Sequence, residues 1–210
     1  MNAFISKYSK LAVKVNSTTL GTVANGVSVK KVPGKNIYFV DGNLKIEGTN
    51  TVYNKPFTII QTIGDTTIKG NLHHNMMLLT NGKITFDGSA SCTATQTLKG
   101  IYYAKGGFYS INVSFNNNLN NPSRCTKGNL HIKGIAIGDG LINNVMANRR
   151  SELNQWFTCK SPTTQCQTQR RNYIMNGAAL LIEYSPSIFT TATMPPGAEE
   201  FTKALEVYKT

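Results

Sequence analysis

Two rows of side chains and two arginine pairs are the residues of this chain whose types and spacing could do chemistry. A phrase of the form Gly-x-apolar-x-apolar-x-Gly recurs as GNLKIEG from Gly42, GDTTIKG from Gly64, GKITFDG from Gly82, GFYSINV from Gly107 and GNLHIKG from Gly128. Its sixth positions are Glu47, Lys69, Asp87, Asn112 and Lys133. If successive copies stack, Glu47 stands beside Lys69 and Lys69 beside Asp87, a ladder of opposite charges with each pair contributing up to about 1 kcal/mol. Such a ladder is structural. Cleaving a polysaccharide on this face would require clustered carboxylates, which alternation with lysine does not provide. The fourth positions are Lys45, Thr67, Thr85, Ser110 and His131. They form a hydroxyl-rich stripe that could hydrogen-bond a sugar but holds no acid.

Arg149-Arg150 and Arg170-Arg171 could grip phosphate or carboxylate groups through their forked guanidinium donors. The plainer alternative is that one arginine of each pair faces solvent while the other lays its stem over apolar surface. His73 and His74 are consecutive, so on a strand they would point to opposite faces and could not share one metal. Asp41, Asp65, Asp87 and Asp139 each stand beside glycine and read as turn residues. No GxSxG, phosphate-binding loop, dinucleotide fingerprint or HExxH motif occurs. The expectation is a non-enzymatic protein with no catalytic residue, no metal ligand and no cofactor.

The elements that must position these rows follow from the same phrase. Period-two alternation between turn residues predicts strands with one buried face. Recurrence at roughly twenty residues predicts stacked coils that bury their apolar faces against each other. Short apolar runs precede the first four phrases, at Ile37 to Val40, Phe57 to Ile60, Met76 to Leu79 and Ile101 to Tyr103. Each coil is therefore expected to hold two strands joined by a tight turn. The predicted fold is mainly β, a short right-handed parallel β-helix (a solenoid) with a capping α-helix and a short C-terminal helix. An antiparallel up-and-down sheet is the rival, because Asp41-Gly42 and Asn81-Gly82 are also hairpin signals.

Four regions result: an N-terminal segment over 1–26, the repeating body over 27–140, a helical cap and cysteine loop over 141–175, and a final strand, Pro-Pro-Gly turn and short helix over 176–210. Val27 to Val32 reads as the first edge strand, and Leu11, Val13 and Val15 as a lone strand before it. Leu141, Ile142, Val145, Met146, Leu153, Trp156 and Phe157 fall at helical spacing. Ala178 to Tyr184 reads as a last buried strand, and Phe201, Leu205 and Tyr208 line one side of the closing helix.

Lys and Arg outnumber Asp and Glu by 22 to 10, a net charge of +12. This balance favours an acidic polymer, an anionic membrane face or nucleic acid. Nucleic acid is disfavoured, because the aromatic residues sit in apolar runs rather than interleaving with the cations. Cys92, Cys125, Cys159 and Cys166 lack zinc-site spacing and fit two disulfides in one of three pairings, or four free thiols. Disulfides would require an oxidising compartment. The opening sixteen residues hold no apolar run of signal-peptide length, and no stretch of the chain could span a bilayer as a helix. The expectation is an exported protein whose leader or longer N-terminal region precedes Met1, with a cytoplasmic protein as the alternative.

The GNLKIEG-type phrases, the Arg-Arg helix and the terminal LLIEYSPSIF…MPPG stretch together resemble uncharacterised bacterial cell-surface β-solenoid proteins. The phrases are also distantly similar to bactofilin-like repeats. The Tyr184-Ser185-Pro186 and Pro195-Pro196-Gly197 endings resemble the C-termini of pilus-associated exported proteins. The resemblance implies an exported structural or adhesive module that contacts other surface proteins, copies of itself or an acidic polymer. A carbohydrate-binding or polysaccharide-active β-helix and a cytosolic filament-forming scaffold are the alternatives.

Overall fold

In the computed structural model, residues 2–20, 26–49, 54–87, 96–110, 130–141, 145, 180–184, 186, 190 and 193–199 are described. They form a mainly β architecture with little helix. A short helix, α1 (Asn2–Ser9), precedes β1 (Val13–Val15) and β2 (Ser28–Lys31). The chain then visits two sheets in turn, through β3 (Ile37–Asp41), β4 (Leu44–Glu47), β5 (Phe57–Ile63), β6 (Thr66–Lys69), β7 (Met76–Thr80), β8 (Ile84–Asp87), β9 (Gln96–Ala104) and β10 (Phe108–Ser110). β11 (Leu130–Ile137) and β12 (Leu180–Glu183) complete the set.

One sheet has eight strands in the order β1-β2-β3-β5-β7-β9-β11-β12, and the other has four in the order β10-β8-β6-β4. From β3 onward every pairing in both sheets is parallel; only β1–β2 and β2–β3 are antiparallel. Asp41-Gly42 and Asn81-Gly82 thus turn corners from one sheet into the other instead of closing hairpins. At these corners the backbones of successive passages touch. A Cβ on Gly64 would overlap the Gly42 backbone, and one on Gly82 would overlap the Gly64 carbonyl oxygen. Only glycine fits such an approach.

The apolar runs explain why the larger sheet is sealed on both sides. Tyr38, Val40, Phe57, Ile59, Met76, Leu78 and Tyr102 pack in one cluster with Leu44, Ile46, Ile68, Ile84, Phe86 and Phe108 of the smaller sheet. The intervening residues, Ile37, Phe39, Ile60, Met77, Leu79 and Ile101, form a second cluster on the opposite face. There Tyr8 of α1 and Ala198 cover them, with Ile5 and Met194 at the margin. Thr58 Oγ1 donates to Pro196 O at 2.6 Å and Asn75 Nδ2 to Thr193 O at 2.8 Å, fastening the 193–199 segment across the strands. Each fully buried aliphatic or aromatic side chain contributes roughly 1.5–3 kcal/mol.

The structure corrects several expectations. β2 lies between β1 and β3 and is no edge strand. Its inward Val29 is buried, which is why Val27 to Val32 looks apolar enough to stand alone. Residues 2–9 form a helix that the loose pattern does not suggest, with Ile5 and Tyr8 three positions apart on its covered side. Leu180–Glu183 does pair with β11, yet it is mostly exposed: Leu181 is 46% and Ile182 42% accessible. Of the last phrase, Leu130 to Gly134 lie in the eight-stranded sheet, beside Gln96 to Gly100 of β9, and not over β10. Of the expected helix after Leu141, Val145 is buried in the core, Leu141 packs against it, and Val145 N donates to Gly140 O at 3.0 Å. Residues 146–175, residues 200–210 of the closing helix and all four cysteines lie outside the described residues.

Candidate functional site: the open face of the four-stranded sheet

β4, β6, β8 and β10 alternate between the core and solvent. Leu44, Thr66, Ile84 and Phe108 are paired in register and buried, as are Ile46, Ile68, Phe86 and Ser110. Between them Lys45, Thr67, Thr85 and Tyr109 make one outward row, all half-buried. Glu47, Lys69 and Asp87 make a second row, in the order the phrase predicts. Adjacent strands stand roughly 4.8 Å apart, so both rows are closely spaced polar ladders.

The structure thus brings together three residues of the expected stripe and separates two. Ser110 is turned inward, 7% exposed, and its Oγ has no hydrogen-bond partner. Tyr109 takes its place in the row. The reason is the corner: a Cβ on Gly106 would overlap the Gly82 backbone, so the phrase starts at Gly106 and its third position is Phe108. His131 belongs to the other sheet, next to Thr97 and Leu181. Its Nε2 lies 2.9 Å from Glu183 Oε2, with Lys133 Nζ 4.0 Å from the same oxygen. Arg149, Arg150, Arg170 and Arg171, the expected polyanion site, lie outside the described residues, as do Asn112 and the cysteine pairs.

Charge on the open face is partly satisfied within one strand. Lys45 Nζ lies 2.7 Å from Glu47 Oε1. The hydrogen bond and the charge of Lys45 hold the Glu47 carboxyl below the usual range, and Glu47 raises Lys45 in return. Lys83 Nζ sits 5.1 Å from the centre of the Tyr109 ring, a cation–π contact that draws a third lysine to the row's β10 end.

The buried polar groups are committed to the frame. Gln61, 1% exposed, donates from Nε2 to Gly42 O at 2.6 Å and to Asp65 O at 3.2 Å. Its Oε1 accepts from the Thr66 and Thr80 hydroxyls at 2.6 and 2.8 Å. Asn43 Oδ1 accepts from Asp65 N, and Asp65 Oδ1 from Lys83 N, so the corner side chains serve neighbouring turns. Asp41 likewise accepts from the Thr62 hydroxyl. Burial pushes the Tyr102 hydroxyl far above its usual range, and it donates to Lys99 O. His73 and His74 are exposed, and among the described residues no group of three or more His, Cys, Asp or Glu could hold a metal. Among the same residues no helix is long and apolar enough to cross a membrane, which leaves β-barrels unaddressed. No protein family, curated protein or solved structure matches this chain.

Proposed function

We propose that the chain is a non-enzymatic, exported structural or adhesive module. In this reading the two parallel sheets are the sides of a short β-solenoid. The observation that carries it is the contrast between a frame whose buried polar groups bond mostly to its own corners and an outer ladder that is polar and regular. A ladder of Lys45, Thr67, Thr85 and Tyr109 suits an extended partner, an acidic envelope polymer or the side of another surface protein, better than a small substrate. The alternating Glu47, Lys69 and Asp87 offer such a partner both signs of charge. The carbohydrate-active alternative uses the same face, so one experiment separates them. Purified protein is incubated with immobilised acidic and neutral envelope polysaccharides, and both retention and new reducing ends are measured. Retention without new ends, weakened by Thr67→Asp with Thr85→Asp, supports the module. New reducing ends or unsaturated products would replace it with the enzyme, and absence of retention on every polymer and on surface proteins would remove the face from the proposal.

A further inference from the structure

A second surface lies at the opposite end of the fold from β12, on α1, β1, β2 and the turn at residues 33–36. The first forty residues contain six lysines and no aspartate or glutamate. The fold gathers five of the six. Lys7 and Lys35 approach the same Tyr8 ring, at 5.3 and 5.1 Å from its centre, which brings α1 and the turn together. Lys14 and Lys30 stand directly opposite each other across the β1–β2 pair. Lys10 follows α1, and all five are exposed. Lys31 is set apart, its Nζ 5.3 Å over the ring of Tyr38. Glu199, next to Ala198 in the same cluster as Tyr8, is an acid on that side and leaves the lysines in excess.

Some of these lysines have structural uses. Lys7 sits in the last turn of α1, where a cation suits the helix end. Lys14 is on an edge strand, where it discourages pairing with another sheet. Lys30 has neither use, because β2 is an interior strand, and like charges directly opposite destabilise a strand pair. An anion over Lys14 and Lys30 would relieve that repulsion. Next to Lys10 is one of the large apolar residues this fold leaves in water, Leu11, 55% exposed; Val13, 53% exposed, pairs with Lys31 and so projects from the other face of β1. Lysines gathered near an exposed leucine match an anionic lipid surface, where the ammonium groups meet phosphates and the aliphatic group enters the headgroup boundary. A soluble polyanion gains nothing from Leu11.

We propose that this end of the molecule docks on an anionic membrane surface, through Lys10, Lys14, Lys30 and Lys35 with Leu11 at the contact. The proposal is independent of the open face of the four-stranded sheet. The test is flotation of the full chain with phosphatidylcholine vesicles, with and without phosphatidylglycerol, alongside a heparin column. The expected result is binding to the anionic vesicles alone, falling steeply with added salt. Lys14→Glu with Lys30→Glu should reduce the bound fraction by more than about tenfold. Leu11→Ser should reduce vesicle binding several-fold by the loss of aliphatic contact, while leaving heparin retention unchanged. Lys10→Glu with Lys35→Glu gives a second charge reversal should the first disturb the strand pair. Equal binding to neutral vesicles, unchanged binding after both reversals, or retention on heparin with no flotation would each overturn the proposal, the last in favour of a soluble polyanion.

Discussion

The two sheets share the passages from Ile37 to Ser110, yet they meet different surroundings. In the eight-stranded sheet Met76 and Met77 are neighbours, point opposite ways and are both fully buried. In the four-stranded sheet Thr67 and Ile68 are also neighbours, and only Ile68 is buried. The difference is set by what lies outside: α1 and the 193–199 segment cover one sheet, and nothing among the described residues covers the other. A strand's apolar content therefore reports how many of its faces are covered, and the half-apolar strands mark where a partner can approach.

The largest effect that could break this comparison is expected at Ile68, between Ile46 and Phe86 in the register. Ile68→Asp places an uncompensated carboxylate in the core and should cost more than about 4 kcal/mol, abolishing cooperative thermal unfolding. Thr67→Asp, one residue away, should change stability by only about 0.5 kcal/mol. A normally melting Ile68→Asp protein would mean that the inward face has been misassigned. Next is the back of the larger sheet. Met77→Ala should cost about 2–5 kcal/mol in urea unfolding, against about 0.5 kcal/mol or less for Thr85→Ala. Equal, small losses would show that the back face is not sealed.

Two buried glutamines sharpen the comparison at smaller scale. Gln61→Leu strands the Thr66 and Thr80 hydroxyls and should cost about 1–3 kcal/mol. Gln96 donates to Gly70 O at 2.9 Å, Ile68 O at 3.2 Å and, more weakly, Asp87 O at 3.5 Å, but its Oε1 has no partner. Gln96→Leu removes that orphaned oxygen along with these bonds, so its loss should be smaller than that of Gln61→Leu. The reverse order would show that Gln96 is the better satisfied of the two.

The smallest effect is the pH dependence of the Lys45–Glu47 pair. The Glu47 carboxyl is held low, so its contribution is present above the ordinary carboxylate range and is lost as pH falls through its folded value. The Lys45 ammonium is held high, so its share is present below the ordinary lysine range and is lost as pH rises through its folded value. Both groups are solvent-screened, which keeps the amplitude small. Glu47→Gln should therefore melt slightly below the parent at neutral pH and level with it in acid. A gap that persists unchanged into acid would assign the difference to something other than this pair.

Much of the two-sheet plan is legible in the chain. The alternation in LKIE, TTIK and ITFD names the inward residues, and the runs IYFV, FTII and MMLL name the strands covered twice. Register is ambiguous where two glycines stand together. Gly106-Gly107 offers two starting points, and the Phe-Tyr-Ser-Ile that follows alternates plausibly from either; only the contact of Gly106 with the Gly82 backbone decides. His131 is misplaced by its pattern because the same alternation serves a different strand position. The segment Thr97-Leu98-Lys99-Gly100 matches His131-Ile132-Lys133-Gly134 residue for residue in kind, and the polar Gln96 at its head disguises the match. The lysine surface is visible only in part. Lys7, Lys10 and Lys14 are close in sequence, but their approach to Lys30 and Lys35 depends on antiparallel pairing and a helix that the loose N-terminal pattern does not signal.

The glycine contacts at the corner have a consequence for how such a chain can change length. Gly42, Gly64, Gly82 and Gly106 succeed one another there, each later one against the backbone of the one before. One residue inserted inside a strand would turn every later side chain of that strand to the wrong face and lift its glycine out of the column. Copying a whole passage, from one such glycine to the next, preserves both. The molecule is in this sense a ruler with fixed graduations: it grows by whole marks, about 4.8 Å each, and has no provision for fractions.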